Sequence, residues 1–377
     1  MLHQLRSQPQ CLSPRERQTL SDVAEAALPA GARLPAASSR TIRNAESFLA
    51  GLPPRLLQGY KALLVGLESY ALMARRRRFG QLAVAERVAV LEAWLSAGVA
   101  RRLSMRALLA PLKIAHFDDP AFYRSIGCVY QFEATRAEAE PRYMRERVHG
   151  PADFSDLSNA AGQAELECDV VVIGSGAGGA VVAKELAEMG HAVVLLEEGQ
   201  YFKRGDFTGR PLDMQRKLYR NGGATFSIGN VGIPIPLGRS VGGTTTINSG
   251  TCYRTPGRVL AKWREQLGLF EFTEAHMERY FDRVERVLGV EEARAETLGG
   301  VAEVIARGCD RLGFRHRPLR RNAPDCDGQG TCCFGCPTDA KRSTNVSYVP
   351  MALRAGAELV HSAEVVSITT AGGRATG

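Results

Sequence analysis

The chain has 377 residues, of which 45% are apolar and 23% charged, with no long biased tract. That composition excludes a disordered or fibrous chain and supplies material for roughly two or three packed domains. No run of about 18 uncharged apolar residues occurs, and Gln4, Arg6, Gln8 and Gln10 interrupt any apolar export segment, so a cytoplasmic protein without a transmembrane helix is expected.

Residues 1–150 carry the charge: 22 Lys/Arg stand against 13 Asp/Glu there, more than the net +8 of the whole chain. The run Arg75–Arg78 is its densest part. Such a segment reads first as a solvated helix end, and second as a peripheral contact with anionic lipid. Nucleic acid is not an expected partner, because no nucleic-acid motif accompanies the charge.

The same residues predict helices. Ser13-Pro14-Arg15-Glu16 combines an N-cap hydroxyl, a proline at the first helical position and a capping-box acid. Leu56, Tyr60, Leu63, Leu64 and Leu67 fall on one helical face, and Val84, Val88, Leu91 and Leu95 repeat the pattern. Prolines 29, 53, 54, 111 and 120 punctuate these stretches, so an all-α domain is expected over 1–150. Residues 151–167 are polar and turn-rich and read as a linker.

From residue 168 the periodicity changes. Asp169–Ile173 is a short β-branched run, expected to be a strand buried on both faces. Gly174-Ser175-Gly176-Ala177-Gly178-Gly179 follows it, then a helical stretch to Met189-Gly190, then a second apolar run, Ala192–Leu196, ending on Glu197. This is a βαβ unit with G-x-G-x-x-G at its first turn. Gly174 allows the turn, Gly176 lets a pyrophosphate reach the backbone, and Gly179 lets helix and strand pack closely. Glu197 lies 21 residues after Gly176, the offset at which an acid meets adenosine ribose hydroxyls. The fingerprint points to a dinucleotide without choosing between FAD and NAD.

A second glycine motif, Gly238-Arg239-Ser240-Val241-Gly242-Gly243-Thr244-Thr245-Thr246-Ile247-Asn248, offers bare backbone and hydroxyls suited to a flat or charged ligand. Asn345–Ala352 leads into a short helix and then to Glu358–His361, with His361 on an expected strand, and Ala363–Ile368 reads as the strand that follows.

The two glycine motifs, in this order, resemble those of the glucose–methanol–choline (GMC) flavoprotein oxidoreductases. Thr244-Thr245 replace the two serines of that family's second motif. The resemblance implies an α/β, Rossmann-like FAD-binding domain of GMC type over residues 168–377, incomplete and preceded by the helical domain. It implies FAD as cofactor, with Gly242, Gly243, Thr244 and Asn248 along it and Val365 touching the adenine through its backbone. It further implies hydride transfer from a small-molecule alcohol to flavin, with oxygen or a redox protein as electron acceptor. Within the family the helical N-terminus and the cysteine-rich insert look most like long-chain fatty alcohol oxidases. The family's catalytic histidine lies near the end of a longer chain, and none of the seven histidines here matches it, so no catalytic residue is nominated. Gly373-Arg374-Ala375-Thr376-Gly377 reads as a turn before a further strand, and the chain is expected to be an inactive fragment of a longer protein.

Cys326, Cys332, Cys333 and Cys336 pack four thiols into eleven residues, and the remaining five cysteines are scattered. An odd total without an export signal argues against a disulfide framework. The cluster is open to three readings: a structural loop, an iron–sulfur cluster as in dehydrogenases of sugars and polyols, or zinc. No metal ligand is nominated. An NAD-dependent dehydrogenase and a non-catalytic electron-transfer protein are the competing readings of the whole chain.

Overall fold

The computed structural model describes residues 11–127, 141–154 and 164–377. Two compact units divide the chain. The first comprises Met1–Gln131, Arg210–Lys217 and Asn221–Pro234; the second comprises Phe132–Gly209, Leu218–Arg220 and Ile235–Gly377.

The first unit is built from helices α1 (Pro14–Ala27), α2 (Ser39–Ala50), α3 (Pro54–Arg75), α4 (Val84–Ser96), α5 (Val99–Phe117) and α6 (Pro120–Ser125). Ser13 starts α1 as its sequence predicts: its hydroxyl accepts from Glu16 N at 3.3 Å, and Glu16 Oε2 accepts from Ser13 N at 2.7 Å. Tyr60, Leu64 and Leu67 of α3 join Leu20, Val23, Leu49, Met105, Leu108 and Leu112 in the core. The expected stripe on α4 is corrected. Val84 and Leu95 are 43% and 38% exposed, and the buried face runs through Arg87, Val90, Leu91 and Trp94. Hydropathy reads Arg87 as polar, yet its guanidinium pairs with Glu25 at 2.7 Å and reaches Gly80 O at 2.8 Å, which lets its stem sit in the core.

The second unit holds α7 (Arg142–Arg147), β1 (Val148–His149), β2 (Val170–Ile173), α8 (Gly179–Glu188) and β3 (Val193–Glu197). After α9 (Pro211–Leu218), which begins in the first unit, come α10 (Thr244–Ile247), α11 (Gly257–Leu267), α12 (Glu274–Leu288), β4 (Glu291–Glu292) and α13 (Gly300–Leu312). The chain ends with β5 (Arg320–Arg321), α14 (Tyr348–Arg354), β6 (Glu358–His361), β7 (Thr370–Ala371) and β8 (Arg374–Ala375). Four strands form a parallel sheet in the order β1-β6-β3-β2. Helices α8 and α14 cover one face, where Val172, Ala183, Leu195, Val349, Leu353 and Leu359 make the core.

Four expectations change. Residues 1–150 are not all helical, because Val148–His149 pair with β6 and belong to the second unit. Strand β2 is not buried on both faces: it lies at the sheet edge, and Val171 and Ile173 are 49% and 52% exposed. Ala363–Ile368 is not a strand. β6 already has β1 and β3 on its two sides, and Ser362, at φ 58°, turns the chain across the end of β3, where Ala363 N donates to Glu197 O at 2.9 Å. The turn expected at 373–377 sits at Gly372-Gly373, both with positive φ, so that Arg374–Ala375 pair back on β7. Of the expected linker, residues 155–163 lie outside the described residues, and Pro151–Phe154 form a single 3₁₀ turn. Among the described residues no helix is long and apolar enough to cross a membrane.

Candidate nucleotide-binding site

The first glycine loop leaves β2 with Gly174 at φ 89°, a conformation that a side chain would strain. Gly174 N donates to Leu196 O at 2.8 Å, so the turn begins on the sheet itself. A Cβ on Gly179 would fall 1.9 Å from Gly174 O and 3.3 Å from Val172 Cγ1. The start of α8 can therefore lie on the strand only with glycine there. At Gly176 and Gly178 a Cβ would meet nothing within 4 Å, and Ala177 is exposed. No side chain caps α8 at Gly178; Ala180 N donates to Gly176 O at 3.1 Å, and the start of the helix still faces the loop with its positive end.

Between these glycines, Ser175 is fully buried. Its backbone N–H and its hydroxyl both donate to Glu197 Oε2, at 2.9 and 2.6 Å, while Glu197 Oε1 accepts from Gly199 N at 2.9 Å. A carboxylate accepts about four hydrogen bonds, so one acceptor position of Glu197 stays open. Glu198, the next residue, faces the other way and pairs with Arg220 and with Arg239 Nε at 3.4 Å.

The second glycine motif docks onto the first. Gly242 N donates to Ser175 Oγ at 2.9 Å, and a Cβ on Gly243 would lie 3.3 Å from Gly176 Cα. Gly243 has φ 52°. Two bare backbones thus oppose each other. Thr244 Oγ1 accepts from Gly238 N at 3.1 Å, Thr245 Oγ1 donates to Gly242 O at 2.6 Å, and Asn248 Oδ1 accepts from Gly250 N at 3.0 Å. Val365 lies just beyond the contact of Ala363 with Glu197, in a segment without regular secondary structure.

Sequence reasoning missed one member of this group. Thr344 Oγ1 donates to Ser175 O at 2.9 Å, and Thr344 N donates to Thr245 Oγ1 at 3.0 Å. Thr344 is buried and ties both glycine motifs to the approach to α14. The only trace in the sequence was the polar run Ser343-Thr344-Asn345 before a helix, which reads equally well as a cap.

The residues fit a dinucleotide. Bare backbone, the start of α8 and an acid with an open acceptor position converge where β2 and β3 end. A family model described as "GMC oxidoreductase" matches residues 215–377, and one described as "FAD binding domain" matches residues 169–205. Over residues 215–377 the chain belongs to the GMC oxidoreductase family. Its cofactor is FAD.

This GMC chain is 33% identical over 350 residues to an uncharacterized GMC-type oxidoreductase of Mycobacterium tuberculosis, covering 92% of this chain and 53% of that protein. It is 34% identical over 195 residues to a long-chain-alcohol oxidase of Arabidopsis thaliana, covering 52% of this chain and 26% of that protein. A cholesterol oxidase of Acinetobacter baumannii is 25% identical over 248 residues, covering 55% of this chain and 42% of that protein. The chain spans about half the length, or less, of these relatives.

The cysteines of this GMC chain are all thiols among the described residues. Cys326, Cys332 and Cys336 line a cavity of about 20 Å³ together with Arg321, room for about one water. Arg321 donates to Cys332 Sγ at 3.0 Å, and Lys341 N donates to Cys336 Sγ at 3.4 Å. Among the described residues no group of three or more His, Cys, Asp or Glu is placed to hold a metal ion. Three of the described histidines have ordinary partners: His149 meets Glu358 at 2.7 Å, His316 meets Asp310 at 2.8 Å, and His116 meets Thr41 at 3.2 Å.

Proposed function

We propose that the protein is an FAD-dependent oxidoreductase that removes hydride from the CH–OH group of an alcohol, with long-chain alcohols the first substrates to test. The observation that carries this reading is the interlock of Gly174–Gly179 with Gly242–Asn248 through Ser175, at the end of β2. Relatives named long-chain-alcohol oxidases that match about half of this chain support the substrate class. Gly174–Gly179 and the start of α8 would hold the pyrophosphate, Glu197 the ribose, Val365 the adenine, and Gly242, Gly243, Thr244 and Asn248 the side toward the ring. Bound flavin supplies the hydride acceptor. The residues here bind and orient it, and exclude water with the buried Ser175, Thr344 and Val241.

The test is purification with ample riboflavin, followed by flavin absorbance and by turnover of long-chain alcohols and sterols with oxygen or an artificial acceptor. A colourless protein that takes up no added FAD would overturn the reading. Peroxide formation marks an oxidase, and turnover confined to the artificial acceptor marks a dehydrogenase.

A surface of the first unit supports peripheral contact with an anionic membrane. On α3, Val65, Leu72 and Met73 are 57%, 52% and 77% exposed and lead into Arg75–Arg78. Arg101 of α5 lies 5.7 Å from the Tyr70 ring, beside the exposed Val99 and Leu103. Exposed apolar side chains on a helix that leads into a run of cations suit acidic headgroups. Co-sedimentation with anionic vesicles that weakens with salt is the expected result; equal binding to neutral vesicles counts against it.

A further inference from the structure

Lys341 is 2% exposed, among the most deeply buried side chains of the chain, and it belongs to no element of secondary structure. All three of its ammonium hydrogens are spoken for. Nζ donates to Thr246 O at 2.8 Å, to Asn248 O at 2.7 Å and to Cys332 O at 2.7 Å. Two of these carbonyls belong to the second glycine motif, and the third belongs to the cysteine loop.

The reason for a buried cation lies in the motif itself. Helix α10 has only four residues and ends at Ile247, with Asn248 beyond it in extended conformation. The last carbonyls of a helix have no partner within it. A cation is the complement to that end of a helix, and an ammonium satisfies three acceptors at once. Arg321 makes a second stitch along the same seam: its Nη2 donates to Ser249 O at 3.0 Å and to Cys332 Sγ at 3.0 Å. Cys332 is thus held by its carbonyl through Lys341, which also holds the motif, and by its sulfur through Arg321, which also holds Ser249, the residue after the motif.

We propose that Lys341 is the positioning residue for the Thr246–Asn248 backbone, and that it makes the cysteine loop a structural part of the cofactor site. This rests on the reading of Gly242–Asn248 as the flavin side of the site. The four thiols then need no inorganic cluster to account for their place. Their loop presents the Cys332 carbonyl as the third acceptor without which the Lys341 cation would be buried one bond short.

Burial lowers the Lys341 ammonium from its ordinary range to about 8, against the opposing pull of the Cys332, Cys336 and Cys333 thiols and with some help from the Arg321 charge. Loss of the proton leaves two donors for three carbonyls. The backbone of the motif should therefore loosen as pH rises through about 8.

The test compares the purified protein with Lys341→Met in two measurements. In the first, FAD is titrated by fluorescence quenching on both sides of that pH. We expect about tenfold weaker binding in the variant, a fall in parental affinity across the step, and no step in the variant, which keeps all the neighbouring thiols. Affinity within about twofold of the parent, or a step that persists in the variant, overturns the proposal. The second measurement needs no flavin: carboxamidomethylation of Cys332, mapped by mass spectrometry, should speed up several-fold in the variant. An unchanged rate overturns the clamp. If the parent takes up no FAD, the cofactor reading falls, and the alkylation rate alone still decides whether Lys341 holds the cysteine loop. Lys341→Gln, which keeps a donor amide, stands in should the methionine variant not fold.

Discussion

Ser175 and Gly242 lie 67 residues apart, yet the Gly242 amide donates to the Ser175 hydroxyl at 2.9 Å while that hydroxyl donates to Glu197 at 2.6 Å. One small side chain thus spans the two glycine motifs and the acid that ends β3. Serine suits the place because a hydroxyl both gives and accepts. A residue there that only donated or only accepted would break one side of the bridge.

Ser175→Ala should therefore do more than remove one bond. It leaves the Gly242 N–H buried without an acceptor and takes one donor from Glu197. A loss of about 1–3 kcal/mol is expected from such an orphaned group. Urea unfolding and FAD titration together check it, and Ser175→Thr, if its methyl fits, should retain part of the affinity.

Neighbouring glycines should differ sharply. Gly179→Ala puts a methyl 1.9 Å from Gly174 O, so either α8 or the turn must move, and FAD uptake should be lost. Gly178→Ala puts its methyl where nothing lies within 4 Å, at an ordinary helical φ of −81°, and should fold normally. Equal behaviour of the two variants in thermal melts would contradict the close packing of α8 on the Gly174 turn.

Arg87→Met keeps the buried stem and removes the guanidinium from Glu25, Asp22 and Gly80 O. Because Glu25 is largely exposed, the cost should be near the low end for breaking a buried pair, about 3 kcal/mol. Burial already raises the Asp22 carboxyl above its ordinary range, and Arg87 pulls it down. A carboxyl raised in the folded state stabilises the fold at low pH, and that contribution is lost as pH rises through the folded value. The variant should accordingly recover part of its lost stability when urea melts are repeated at acidic pH.

Glu285 behaves in the opposite sense. Hydrogen bonds from Arg254 hold it down to about 2, with Arg320 adding to them. The depressed value means that its contribution is complete above the unfolded carboxylate value of 4.5 and is lost as pH falls from there toward about 2. Glu285→Gln should flatten the acid limb of the stability profile over that window, measured by urea midpoints, with little change in its shape near neutrality.

How much of this was legible in the linear chain follows from where each interaction lies. Local features were. The capping box at Ser13 and Glu16, the apolar face of Tyr60, Leu64 and Leu67, and the βαβ unit with Glu197 at its end depend on residues a few positions apart, or on a turn whose glycines admit one geometry. The family itself is written in two such local motifs. What the sequence could not supply were contacts made across the fold. Arg87 reads as polar until Asp22 and Glu25 stand beside it, and Ala363–Ile368 reads as a strand until both sides of β6 are found to be taken.

Thr344 and Lys341 are the clearest cases. A threonine before a helix and a lysine in a polar loop carry no signal by themselves. Each acquires its role from backbone carbonyls that the tertiary fold delivers, from 169 residues away for Thr344 and up to 95 for Lys341. Backbone groups are the same at every residue, so no pattern of side chains can announce which of them a donor will meet. The sequence alone determined the kind of ligand this chain is built to hold; the folded chain decided which side chains keep its two glycine loops face to face.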